Sequence, residues 1–136
     1  MYITRSKLRV RYAETDQMSV VYYGVYPQYF EVGRVEALRQ LKMTYREMEE
    51  AGIMLPVLHL EVHYHRPALY DDELTIVTMI KELPQTRIRF EHEVRNEDDK
   101  LLTTGSVELV FVDRETRRPR RAPQDLLERL RPHIIA

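Results

Sequence analysis

One stretch of this chain repeats with the period of a helix, and most of the remainder repeats with the period of a strand. That division limits the folds open to it. Tyr26, Tyr29, Phe30, Gly33, Ala37, Leu38 and Leu41 recur at intervals of three and four, while Gln28, Glu31, Arg39 and Gln40 fill the opposite side, which predicts an amphipathic helix over 26–41. Pro27 suits its first turn, where a missing N–H costs nothing. Gly33 lies inside the apolar face and costs about 1 kcal/mol of helix propensity relative to Ala. A close approach to a sheet is the expected reason for it.

Around this helix the period is two. Residues 2–12 alternate, with Tyr2, Thr4, Leu8, Val10 and Tyr12 on one side and Arg5, Lys7, Arg9 and Arg11 on the other, as in a half-buried strand. A short second helix is signalled by Thr44 as cap, by Glu47 positioned to return the bond, by Met43 and Met48 as a hydrophobic staple, and by Gly52 as stop. Leu58, Leu60, Val62 and Tyr64 then alternate with His59, Glu61, His63 and His65 until Pro67. Further strands are expected over Leu74–Ile80, Ile88–Val94 and Leu101–Val112, with turns at Pro84-Gln85 and Asn96–Asp99. An arginine-rich turn, RETRRPRR, and a short helix after Pro123 finish the chain.

Five strands at about 4.8 Å spacing make a sheet roughly 24 Å wide, against about 10–12 Å for a helix. The expected architecture is therefore α+β, a five-stranded antiparallel sheet wrapped around a long central helix, in a single domain over 1–136. Val77 and Met79 fall on the outer face of that sheet and are expected to bury against another subunit.

The bulk chemistry excludes several function classes. Lys and Arg number 21 against 22 Asp and Glu, for a net charge of -1, so no global field attracts nucleic acid or an anionic membrane. Without cysteine there is no thiol nucleophile, disulfide or zinc thiolate site. No apolar run approaches the roughly 20 residues of a membrane span, and the N-terminus alternates instead of carrying a signal-peptide core. A soluble cytoplasmic protein is expected, with no nucleic-acid or membrane partner.

Asp16 stands seven residues before Tyr23, at the mouth of the aromatic-rich helix. The spacing can set a carboxylate beside free N–H groups of a helix N-terminus, which favour negative charge and polarise a carbonyl. Glu14 can share the side of Asp16, and a carboxylate pair of that kind raises one pKa. Glu31 and Arg34, three apart on the helix, suit an ion pair or a subunit contact. His59, His63 and His65 share one strand face, but residues four apart on a strand are separated by about 13 Å, so surface or subunit contact outweighs a metal site. Arg117, Arg118, Arg120 and Arg121 suit a phosphate grip as well as they suit a solvated turn.

The segment RYAETDQMSVVYYGVYPQYFEVGR, residues 11–34, resembles the signature of the 4-hydroxybenzoyl-CoA thioesterase family, including the acyl-CoA thioesterases associated with the Tol–Pal system. YHRPALYDDELTI, residues 64–76, resembles that family's segment entering the third strand. The resemblance implies the hotdog fold, acyl-CoA hydrolysis, a homo-oligomer (dimer or tetramer) with sites between subunits, and neither metal nor cofactor. It implies that Asp16 is the catalytic carboxylate, as nucleophile or as base for a water, and that the backbone N–H of Tyr23 bonds the thioester oxygen. Gly24 and Tyr26 fall in the same substrate-binding region at the helix entrance. His65 and Arg66 fall near the neighbouring subunit's acyl pocket, and Arg120 and Arg121 near the coenzyme A phosphates. Ser19 stands where relatives have Gly. A thioesterase acting on acyl-carrier protein and a noncatalytic acyl-CoA-binding protein are the alternatives.

Overall fold

The computed structural model describes residues 1–134. β1 (Tyr2–Arg9) leads through two 3₁₀ turns into the long helix α1 (Tyr26–Gln40), and α2 (Tyr45–Glu50), β2 (Ile53–Met54) and β3 (Val57–Tyr64) come next. The chain continues through β4 (Glu73–Ile80), β5 (Arg87–Arg95), β6 (Leu101–Val110), β7 (Val112–Asp113) and α3 (Gln124–Leu130). Five strands form one antiparallel sheet in the order β1-β4-β5-β6-β3, and β2 pairs with β7 in a separate ribbon.

The periodicities explain this assembly. Every apolar-face residue of α1 is buried, with Phe30, Ala37 and Leu38 wholly so; each large side chain taken from water contributes roughly 2–3 kcal/mol. Gly33 has the expected cause. A Cβ there would lie 2.7 Å from Ile76 Cγ2 and would overlap Thr78 Oγ1, so only glycine lets α1 sit this close to β4. Thr44 Oγ1 accepts from the Glu47 N–H at 3.1 Å, and Gly52 takes φ +84° after α2, although no return bond from the Glu47 carboxylate forms among the described residues.

Two boundaries and one expected ion pair differ from the sequence expectation. β1 ends at Arg9, and Tyr12 is exposed on a 3₁₀ turn instead of lining the strand, because the Arg11 N–H is drawn onto the Glu14 carboxylate. The last strand breaks at Phe111, where Phe111 N–H bonds Thr86 O and the chain turns onto β2. Glu31 and Arg34 form no ion pair among the described residues; Arg34 Nε donates instead to the Tyr45 hydroxyl at 3.1 Å.

The sheet outruns its helix. α1 packs on β1, β4 and β5, and Phe30 reaches β6 only because Gly105 has no side chain to meet its ring. On β3, Leu60, Val62 and Tyr64 pair in register with Val107, Gly105 and Thr103 and so face the helix side, yet Leu60 and Tyr64 remain 43% and 51% exposed. The outer face carries the ion pairs Lys81–Glu91, Arg87–Glu108 and Arg95–Glu93, and Val77 is already buried among them with Met79 half-buried. The open apolar area therefore lies along β3, not at Val77 and Met79.

Candidate active site at the entrance of the long helix

Residues 14–22 form a tight hairpin whose tip carries Asp16. Tyr22 N–H bonds Glu14 O and Asp16 N–H bonds Val20 O, both at 2.9 Å, and Ser19 N–H closes the turn on Asp16 O at 3.0 Å. Asp16 Oδ1 accepts the Met18 N–H at 2.8 Å, an Asx turn of the kind that short polar side chains favour. Ser19 has φ +66°, a left-handed conformation that suits glycine. The serine thus keeps the glycine-type path at some strain. A cleft of about 750 Å³ opens beside the tip, with Asp16, Tyr12, Tyr22 and Tyr70 among its walls.

The hairpin's second arm leads to the helix. Val21 N–H bonds Ala68 O at 2.9 Å, and the chain then enters the 3₁₀ turn Tyr23–Val25 that runs straight into α1. Nothing among the described residues accepts from the Tyr23 or Gly24 N–H, and α1 has no side-chain cap. Open amides at a helix start carry the positive end of its dipole. Gly24 also admits the neighbouring ring: a Cβ there would lie 2.9 Å from Tyr22 Cε2.

Glu14 is committed to structure rather than paired with Asp16. Its carboxylate accepts from the Arg11 N–H at 2.8 Å, the Arg11 guanidinium at 3.1 Å and the Tyr29 hydroxyl at 3.0 Å. Burial alone would raise its pKa, but the Arg11 N–H, the Tyr29 hydroxyl and the Arg11 guanidinium together hold it below the ordinary value. This is the reverse of the raised carboxylate that an acidic pair requires. The phenol of Tyr29 is pushed up by burial and by the same carboxylate. The Asp16 hairpin is thereby bolted to α1 one helical turn beyond its entrance. Sequence spacing alone did not separate Glu14 from Asp16 as partner or bolt; the phenol of Tyr29 on the buried helix face was the available signal.

The other expected residues divide by location. Tyr26 is buried and makes edge contacts with the rings of Tyr29 and Tyr64 at 5.7 and 5.4 Å. His65 and Arg66 come directly after Tyr64, their N–H groups on Leu102 O and His65 Nε2 on Thr104 Oγ1 at 3.2 Å, so they lie at the same end of the sheet as Tyr23. His63 pairs with Glu61 at 3.0 Å. Arg120 and Arg121 are at the other end: β6 starts beside Tyr64 and runs ten residues away from it, about 30 Å, before the arginine turn begins. Within one protomer they do not meet Asp16. Missing from the sequence reading was Tyr64 itself, whose hydroxyl donates to Tyr23 O at 2.8 Å.

Comparison with known proteins agrees with the fold. Residues 10–130 match the thioesterase-like superfamily. The acyl-CoA thioester hydrolase YbgC of Escherichia coli is 31% identical over 123 residues, covering 90% of this chain and 92% of YbgC; the acyl-CoA thioesterase YbgC of Haemophilus influenzae is 31% identical over 120 residues, 88% of each chain. Among solved structures, the DHNA-CoA thioesterase of Staphylococcus aureus superposes with a TM-score of 0.86 at 34% identity, covering 98% of this chain and 86% of its own. With a helix on a five-stranded antiparallel sheet and a match across most of its length, the chain belongs to the thioesterase-like superfamily of hotdog-fold enzymes.

Proposed function

We propose that the protein is an acyl-CoA thioesterase, hydrolysing an acyl-CoA to the free acid and coenzyme A. The observation that carries the reading is the placement of Asp16 on a hairpin tied to the same helix whose entrance amides, Tyr23 and Gly24, have no acceptor among the described residues. A thioester has a good leaving group, so the enzyme must supply a nucleophile or base and a home for the developing oxyanion, worth about 3–4 kcal/mol per well-aimed donor. In our reading Asp16 attacks the thioester carbon or takes a proton from an attacking water, and the entrance amides hold the carbonyl oxygen. Within the superfamily we assign the chain to the 4-hydroxybenzoyl-CoA thioesterase group of the Tol–Pal-associated type, on the resemblance of residues 11–34.

The site is completed between two copies. β3 is an edge strand with an apolar inward face that α1 leaves open, and an unpaired edge of that kind is a template for another chain. Antiparallel pairing of two β3 edges sets the Val57 end of one beside the Tyr64 end of the other. The arginine turn of one protomer, with Arg120 and Arg121, then approaches the helix entrance of its partner, where guanidinium groups suit coenzyme A phosphates.

A thiol-release assay over aromatic, short and medium acyl-CoA esters, with acyl-carrier protein alongside, tests the proposal. Turnover of at least one acyl-CoA is expected, with Asp16→Asn slowing it by at least about a hundredfold; Asn keeps the oxygen that accepts from Met18. Full activity in that variant removes Asp16 from the chemistry. Turnover of carrier-bound substrate alone moves the acyl donor to carrier protein, and binding without turnover makes the protein a noncatalytic binder.

A further inference from the structure

The entrance peptide between Tyr23 and Gly24 is held by a residue on a different element. Pro27 has no N–H, so the Tyr23 carbonyl four residues earlier lacks the donor that an α-helix ordinarily supplies. The Tyr64 hydroxyl, reaching over from β3, takes that place at 2.8 Å. Its ring is itself fixed, edge-on to buried Tyr26 at 5.4 Å, and Tyr26 is edge-on to Tyr29. In a trans peptide the C=O and N–H point in opposite directions, and the described chain has no cis bond. Fixing the carbonyl on Tyr64 therefore fixes the Gly24 N–H outward, away from β3. A peptide whose oxygen accepts a hydrogen bond is also polarised into a stronger N–H donor.

We infer that Tyr64 is a positioning residue for the oxyanion site: by anchoring the Tyr23 carbonyl it aims and strengthens the Gly24 N–H as a donor beside that of Tyr23. The inference rests on the thioesterase reading and extends it to a residue that never touches the reacting atoms.

The test is Tyr64→Phe, which keeps the ring against Tyr26 and removes only the hydroxyl. Tyr2→Phe is the matched control, since the Tyr2 hydroxyl makes the same kind of bond, to Ala37 O at 2.7 Å, far from the entrance. Tyr64→Phe is expected to lower kcat about tenfold, with KM held within about twofold, and to shift the Gly24 amide resonance. Tyr2→Phe is expected to lower the melting temperature and leave kcat alone. An unchanged kcat in Tyr64→Phe, or a loss that appears only in KM, overturns the inference while leaving the thioesterase reading intact. A wild type inert toward every acyl-CoA overturns that reading instead. The Gly24 resonance then judges the anchoring alone, and no shift in Tyr64→Phe overturns it.

Discussion

The middle of α1 and its entrance are a few turns apart on one helix and are built on opposite terms. At the middle, Gly33 is pressed against Ile76 and Thr78, Phe30 stacks on His92 at 4.7 Å with rings 4° from parallel, and no space is left. At the entrance, Tyr22, Tyr23 and Gly24 are exposed, and two amides are unengaged among the described residues. Two glycines serve these terms differently. Gly33 lets a helix approach a sheet, and Gly24 lets a ring approach a peptide. The contrast teaches that the open end is tolerated only because the closed middle holds the helix axis in place: free amides at a frayed helix end would point nowhere in particular.

Changes at the middle should disturb folding, and changes at the entrance should disturb chemistry. Gly33→Ala should be the most disruptive to stability, about 3 kcal/mol by overpacking, read as a lower denaturant midpoint; a cost below about 1 kcal/mol would mean that the sheet can yield and that the middle is less tightly closed than its glycine contacts imply. Acid should attack the same region next. His92 is buried beside Thr78, its Nδ1 3.1 Å from Thr78 Oγ1 and its Nε2 unpartnered among the described residues. Burial, assisted by the Arg34 charge, pushes its pKa down to about 3 from 6.5. A depressed histidine contributes stability that is whole above its unfolded value and drains as pH falls toward its folded one, about 2–3 kcal/mol between pH 6.5 and 4.5. Urea titrations at those two pH values should show the loss, and His92→Gln should flatten it.

Effects at the hinge between the two regions should be smaller. Glu14→Gln leaves Tyr29 and Arg11 without their anion and should cost about 1–2 kcal/mol. Its depressed carboxyl adds stability above its unfolded value that is lost as pH falls through the folded one, so the variant should also lose the low end of the acid transition. The smallest change sharpens the comparison from the entrance side. Ser19→Gly relieves a left-handed serine and should raise stability by up to about 1 kcal/mol, detectable as a higher melting temperature with hydrolysis unaltered.

Period carried much of the fold in the sequence. The seven positions on α1 and the alternation over β3, like the strands expected at β4, β5 and β6, are physical repeats, and the side chains face as the repeats dictate except where the register shifts, between Val57 and His59, which takes Leu58 out of the inward row, and between Val94 and Arg95. What escaped has no period to show. β2 and β7 have two residues each, and the strand order that leaves β3 at an edge depends on contacts between distant segments. At the candidate site, the signature and the approach of a helix start pointed to Asp16 and Tyr23. Glu14 was ambiguous because a bolt and a second acid look alike in one dimension. Tyr64 was invisible as an anchor because it is 41 residues from the carbonyl it holds, and the alternation of β3 marked it only as another apolar position.

The Asx turn at the hairpin tip has a consequence for any reaction there. With Oδ1 held by the Met18 N–H, the aspartate is one-armed: among the described residues nothing claims Oδ2, and spinning the carboxylate to swap the two oxygens means breaking the turn. The choice of which lone pair meets an incoming molecule, and along which line, is biased when the chain folds, so less rotational freedom is left to be removed at the moment of encounter.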